Sequence, residues 1–115
     1  MIEAFIIDYL GTALSVPVSG SVPHPMPSEF VTVEKTGGSY RDKVHGATIA
    51  VQSWSTTRAA ACALNELVLA AMDAITDEPE VNWCGLNSDY NYPDLATNRP
   101  RYQAVFDVVY FNEEE

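Results

Sequence analysis

Phe30-Val31-Thr32-Val33-Glu34-Lys35-Thr36-Gly37-Gly38-Ser39-Tyr40-Arg41-Asp42-Lys43-Val44-His45-Gly46-Ala47-Thr48-Ile49-Ala50-Val51-Gln52-Ser53-Trp54 is the stretch on which the fold turns. Phe30 to Thr36 and Ala47 to Trp54 are rich in β-branched and aromatic residues, so both read as strands. Gly37 to Gly46 is too long for a tight turn and suits an extended hairpin loop, giving a mobile segment over 36–46. An antiparallel pair of this length needs apolar cover, and the flanking sequence supplies it.

Upstream, Ile2, Phe5, Ile6, Tyr9, Leu10 and Ala13 recur at three- and four-residue steps, which predicts an amphipathic helix from Ile2 to Leu14. Pro17 ends it, Val18 to Val22 suits a brief edge strand, and the prolines from Pro23 to Pro27 make a rigid connector. Downstream, Ser55 or Thr56 can cap a helix from Thr57 to Ile75 with a buried stripe of Ala61, Leu64, Val68, Ala71 and Ile75. Asp77-Glu78-Pro79-Glu80 stops that helix. Val81 to Asn87 reads as a strand, Ser88 to Pro100 as a loop, and Arg101 to Phe111 as a strand apolar on both faces, as if covered twice. The order α-β-β-β-α-β-β predicts one α+β domain over 1–115: an antiparallel or mixed sheet of about five strands carrying two helices, with a frayed acidic tail at 112–115.

Few residues invite catalysis. A nucleophile needs a base and an orienting partner, yet His24 sits among prolines and His45 beside a glycine. Cys62 and Cys84 read as core thiols, and the wide spacing of the cysteines and histidines matches no zinc motif, so neither metal nor cofactor is expected. Thr36-Gly37-Gly38-Ser39 leads into a strand rather than a helix, unlike a phosphate-binding loop. The one constellation with any chemistry is Asp89 and Asp94 among Trp83, Tyr90 and Tyr92, which would suit a small hydrolase or ligand-binding pocket but lacks a base, a metal or an oxyanion donor.

Charge is more informative. Sixteen acids against six bases give a net charge of -10, which repels phosphate backbones and anionic bilayers. No apolar run approaches the roughly 20 residues of a membrane span, and Met1-Ile2-Glu3-Ala4-Phe5 has no basic n-region, so a cytoplasmic protein without a membrane partner is expected. No Lys or Arg lies between Arg58 and Arg99, so Glu66, Asp73 and Asp77 form an acidic stretch that no neighbouring base in the sequence neutralises. Lys35, Arg41 and Lys43, with His45 beside them, concentrate positive charge on the hairpin and suit docking onto an acidic partner, including another copy of the chain.

Four stretches carry a resemblance: Ile2 to Leu10 with the Val16-Pro17-Val18 step into Val22-Pro23; Phe30 to Gly38; Ala50 to Trp54 with Arg58-Ala59; and Tyr90-Asn91-Tyr92-Pro93-Asp94 with Arg99-Pro100-Arg101-Tyr102-Gln103. In this order they resemble the tail terminators, or tail-completion proteins, of long-tailed siphovirus-like phages and prophages, of the lambda type. The resemblance implies a non-enzymatic virion subunit, assembled in the bacterial cytoplasm, that forms a homohexameric ring on the tail tube. Such a ring stops tube polymerisation, meets the head-tail connector proteins, and lets DNA pass without specific binding. A connector component or a minor tail protein of the same particle would carry the same pattern.

Overall fold

The computed structural model describes residues 2–111, so the acidic tail at 112–115 lies outside the described residues. The elements are α1 (Ile2–Ala13), β1 (Val18–Ser19), β2 (Phe30–Arg41), β3 (Val44–Trp54), α2 (Arg58–Asp73), a 3-10 turn at Ile75–Asp77, β4 (Val81–Asn91) and β5 (Arg101–Tyr110). They form an α+β fold with the expected order, built on one five-stranded mixed sheet in the order β1-β2-β3-β5-β4. Only the short β1–β2 pair is parallel; the other neighbours are antiparallel. β3 and β4 therefore run the same way, linked through α2, and β5 returns between them as a split β-α-β unit.

One face of this sheet makes the core. Val31, Val33, Ala47, Ile49, Val51, Ala104, Phe106 and Val108 alternate inward and pack under Ile2, Ile6 and Leu10 of α1 and Leu64, Val68 and Met72 of α2. Each fully buried aliphatic side chain contributes about 1.5–3 kcal/mol of transfer free energy, so the α2 stripe alone anchors the helix. The observed stripe is Ala61, Leu64, Asn65, Val68 and Met72, with Ile75 buried in the 3-10 turn and Ala71 only half-buried. The helix begins one residue later than expected because Thr57 is the cap, its hydroxyl accepting from the Ala60 amide at 3.1 Å. Ser55 is instead buried and donates to Glu29 at 2.9 Å.

The largest departure is the hairpin. Residues 36–46 are not a loop: β2 and β3 stay paired to Arg41↔Val44, and the connection is the two-residue turn Asp42-Lys43. Both turn residues have positive φ, 52° and 68°, the backbone that matches the right-handed twist of a two-residue hairpin. A register shift between Lys35 and Gly37 leaves Thr36 unpaired and breaks the alternation just where the ribbon leaves the helices. Beyond the Gly38↔Ala47 pair no residue of the ribbon is in the core beneath the helices, so the distal residues carry no hydrophobic period to mark them as strand. A Cβ on Gly38 would stand 3.0 Å from Lys35 Cε, and one on Gly46 would stand 2.6 Å from Ser39 Oγ, so both glycines make room for side chains lying along the ribbon. β4 is also longer than expected, running to Asn91, because the shift between Leu86 and Ser88 resets its alternation. The second cover expected over β5 is not provided by either helix: Val105 and Val109 lie half-buried on the opposite, open face.

Lysine in the left-handed region costs about 1–2 kcal/mol, more than the roughly 0.5–1 kcal/mol of chain entropy that glycine adds. Lys43→Gly is therefore expected to stabilise the protein by about 0.5 kcal/mol and raise its thermal midpoint by a few degrees, read by circular dichroism; a lower midpoint would contradict the turn assignment.

Candidate interaction surfaces

The basic hairpin is a stiff, short arm: its β3 strand stays paired to β5 as far as His45↔Tyr110, and residues 41–44 project past the end of the sheet. Lys35, Arg41 and Lys43 are exposed along it, and the Lys35 amide is tied to α1 by donating to Glu3 Oε2 at 2.7 Å. His45 differs from the other three: half-buried, it lies with ring centroids 4.7 Å from Tyr40 and 5.3 Å from Tyr110. It stiffens the base of the tip.

On the opposite edge of the sheet, α2 and β4 enclose an open groove of about 390 Å³. Met72 and Phe106 form its buried floor, Leu69 and Leu86 its apolar sides, and Glu66 and Asp73 its acidic rim. Glu66 and Asp73 are seven residues apart, two helical turns, which places them on one face. Asp77 does not join them. It sits on the 3-10 turn beside Tyr9, whose phenol is pushed up by burial and then by Glu78 and Asp77 while its hydroxyl donates to Ala71 O at 2.6 Å.

Cys84 also lines the groove, as a free thiol pushed up to about 11, first by burial and then by Asp73 and Asp107. Its folded pKa exceeds the unfolded one, so the associated stability is complete below the ordinary thiol pKa and is lost as pH rises through about 11. At pH 8 its thiolate is correspondingly scarce, and disulfide-reagent labelling should run on the order of a hundredfold slower than for a free model thiol. Labelling of a Cys62→Ser variant at the model rate would contradict that environment.

The sheet's open face carries a hydrogen-bonded row across four strands. Trp54 Nε1 donates to Thr32 Oγ1 at 3.1 Å, Thr32 Oγ1 to Gln52 Oε1 at 3.1 Å, Gln52 Nε2 to Gln103 Oε1 at 2.7 Å, and Gln103 Nε2 to the Tyr90 hydroxyl. Beside it, Phe30 and Trp54 stack at 5.1 Å beneath two arginines. Arg99 donates to the carbonyls of Ser28 at 2.7 Å, Pro27 at 3.1 Å and Ser55 at 3.2 Å, pinning the proline connector to the sheet. Arg101 lies between the Trp54 and Tyr92 rings, 4.7 and 4.5 Å from their centroids, and donates to Tyr92 O at 2.7 Å. Asp94 sits 3.9 Å from Arg101 and is held below the usual carboxylate range, first by its hydrogen bond from the Thr97 hydroxyl. Sequence reasoning assigned no role to this clasp; the signal was the alternation of Arg99 and Arg101 opposite Tyr92 and Asp94.

The hydrolase-like constellation is gathered only in part: Tyr90 and Tyr92 meet edge to face at 5.8 Å and Asp94 joins Tyr92 at Arg101, but Asp89 and Trp83 lie apart from them. Asp89 faces α2 and accepts from the buried Asn65 at 2.9 Å, Asp94 belongs to the clasp, and Trp83 folds over Gly85 at the far end of β4. Among the described residues no three His, Cys, Asp or Glu side chains cluster to hold a metal ion. The span Arg58–Asp77 is long and apolar enough by length and hydropathy to cross a membrane, unlike the sequence expectation, but one stripe of it is packed on the sheet and includes Asn65. The sequence matches no family model and no curated protein.

Arg99 replaces solvent for three carbonyls at once, and hydrogen bonds to a charged donor contribute about 1.5–3 kcal/mol each without adding fully. Arg99→Ala should cost roughly 2–4 kcal/mol in urea unfolding, and Arg99→Lys should recover only part, because an ammonium cannot reproduce the planar fork. A loss under about 0.5 kcal/mol for the alanine variant would remove the clasp from the stability account.

Proposed function

We propose that this chain is a structural subunit of a long-tailed phage or prophage particle, a tail terminator that caps the tail tube as a homohexameric ring and joins it to the head. The observation that supports this most directly is the segregation of two unlike surfaces. A basic arm leaves the β2–β3 side of the sheet, and an acidic, partly apolar edge lies on the α2–β4 side. Rings are built from contacts between two different patches that close head to tail, and one copy carries both kinds of patch here. The half-buried Val105 and Val109 of the open face add apolar surface that a neighbouring subunit or the tube can cover.

An acidic lining suits a passage for DNA, since contacts that release counterions would hold the moving duplex. Asp77, on the 3-10 turn apart from the groove, contributes charge to such a lining, while Glu66 and Asp73 face the groove as an interface, with no base between Arg58 and Arg99. The resemblance in four stretches is what points to a phage tail as the particle. A head-tail connector or minor tail protein would use the same surfaces against a different partner.

Arg41→Glu with Lys43→Glu should leave the circular dichroism spectrum unchanged and sharply lower the yield of joined particles when tails are completed with the variant. Normal titre with the double variant would remove the arm from the joining step, and absence of rings by negative-stain imaging, both in solution and on purified tail tubes, would remove the terminator reading.

A further inference from the structure

We infer that the α2–β4 groove is the receptor for the arm of a second copy of this chain, so that Arg41 and Lys43 of one subunit lie against Glu66 and Asp73 of the next. The inference deepens the ring reading and rests on it. Three properties of the two surfaces match.

The first is charge. Even with Asp42 between them, Arg41 and Lys43 leave the tip net positive, two bases against one acid. The groove rim carries two carboxylates with no cation within its own segment of chain. The second is apolar content. Val44, 48% exposed beside the turn, and Leu86, 51% exposed beside the groove, are each left to solvent in the single chain. Bringing the tip onto the groove covers both and desolvates the rim, which strengthens the ion pairs there.

The third is geometry. The arm is a paired ribbon with a two-residue turn at one end of the sheet, and β5 lies between its β3 strand and the β4 side of the groove. With β5 between them in one chain, a stiff donor at the end of the sheet and a receptor between α2 and β4 are placed to meet between copies, and repeating that contact around an axis closes a ring. The groove is open at about 390 Å³, room for side chains of the tip rather than for a whole strand.

Charge exchange tests this. Arg41→Glu with Lys43→Glu and, separately, Glu66→Lys with Asp73→Lys should each raise the dissociation constant for self-association roughly a hundredfold at low salt, by sedimentation velocity. Mixing the two variants should restore assembly, because the acidic arm of one then meets the basic groove of the other; the fourfold variant should assemble alone. Zero-length carbodiimide coupling of the unaltered protein should join Lys43 to Glu66 or Asp73 between isotopically distinct copies. Rings that form in all variants alike, or no such cross-link in a sample that contains rings, would overturn the arm-to-groove contact while leaving the ring itself standing. No association and no cross-link, even on tail tubes, would sink both readings together.

Discussion

Burial of one face of a single sheet beneath two helices is the constraint from which the rest follows. It fixes the register of β2, β3 and β5, because a slip of one residue would turn Val33, Ile49, Val51 and Phe106 out to solvent. It also places β5 between β3 and β4, where both neighbours and α2 cover its inward Ala104, Phe106 and Val108. With the helices committed to that face, the other face and both edges are left to be managed by side chains.

The open face is managed by polar pairing. A row of glutamines between Thr32 and Tyr90 replaces water for groups in adjacent strands, and the arginine clasp seals the apolar end where Phe30 and Trp54 stack. Arg99 and Arg101 do here what a third layer would do in a larger protein: they hold an irregular segment against a sheet by charged hydrogen bonds and by lying on aromatic rings. The edges are treated unequally. β4 is broken by two register shifts, which blunt it as a template for strand addition, whereas β2 runs on into the arm.

What the sequence discloses follows the same division. Wherever a residue faces the helices, its period was legible: α1, the inward stripe of α2, and the paired ends of β2 and β3 are found within a residue or two of their expected limits. Where pairing has no buried face, the period vanishes, so the distal ribbon read as a loop and β4 was cut short at Asn87. Of the site residues, Lys35, Arg41 and Lys43 do share the arm, and Glu66 and Asp73 share a groove because a spacing of seven residues is close to two helical turns. Asp77 and His45 depart from them through local features no period encodes, a 3-10 turn and an aromatic stack.

The charge distribution is the step that connects stability to assembly. Of the six bases, Arg99 and Arg101 are consumed inside the clasp and Lys35 lies along its own ribbon, leaving Arg41, Lys43 and Arg58 as the outlying cations. A lone chain carries a net charge of -10, and among the described residues no ion pair relieves its acidic α2–β4 side. Like charges so gathered repel over about 8 Å at physiological ionic strength, which keeps single chains apart in the wrong orientations. The orientation in which an arm meets an acidic rim is the one where that repulsion becomes attraction. The same excess of carboxylates that discourages indiscriminate association thereby gives directed association its register.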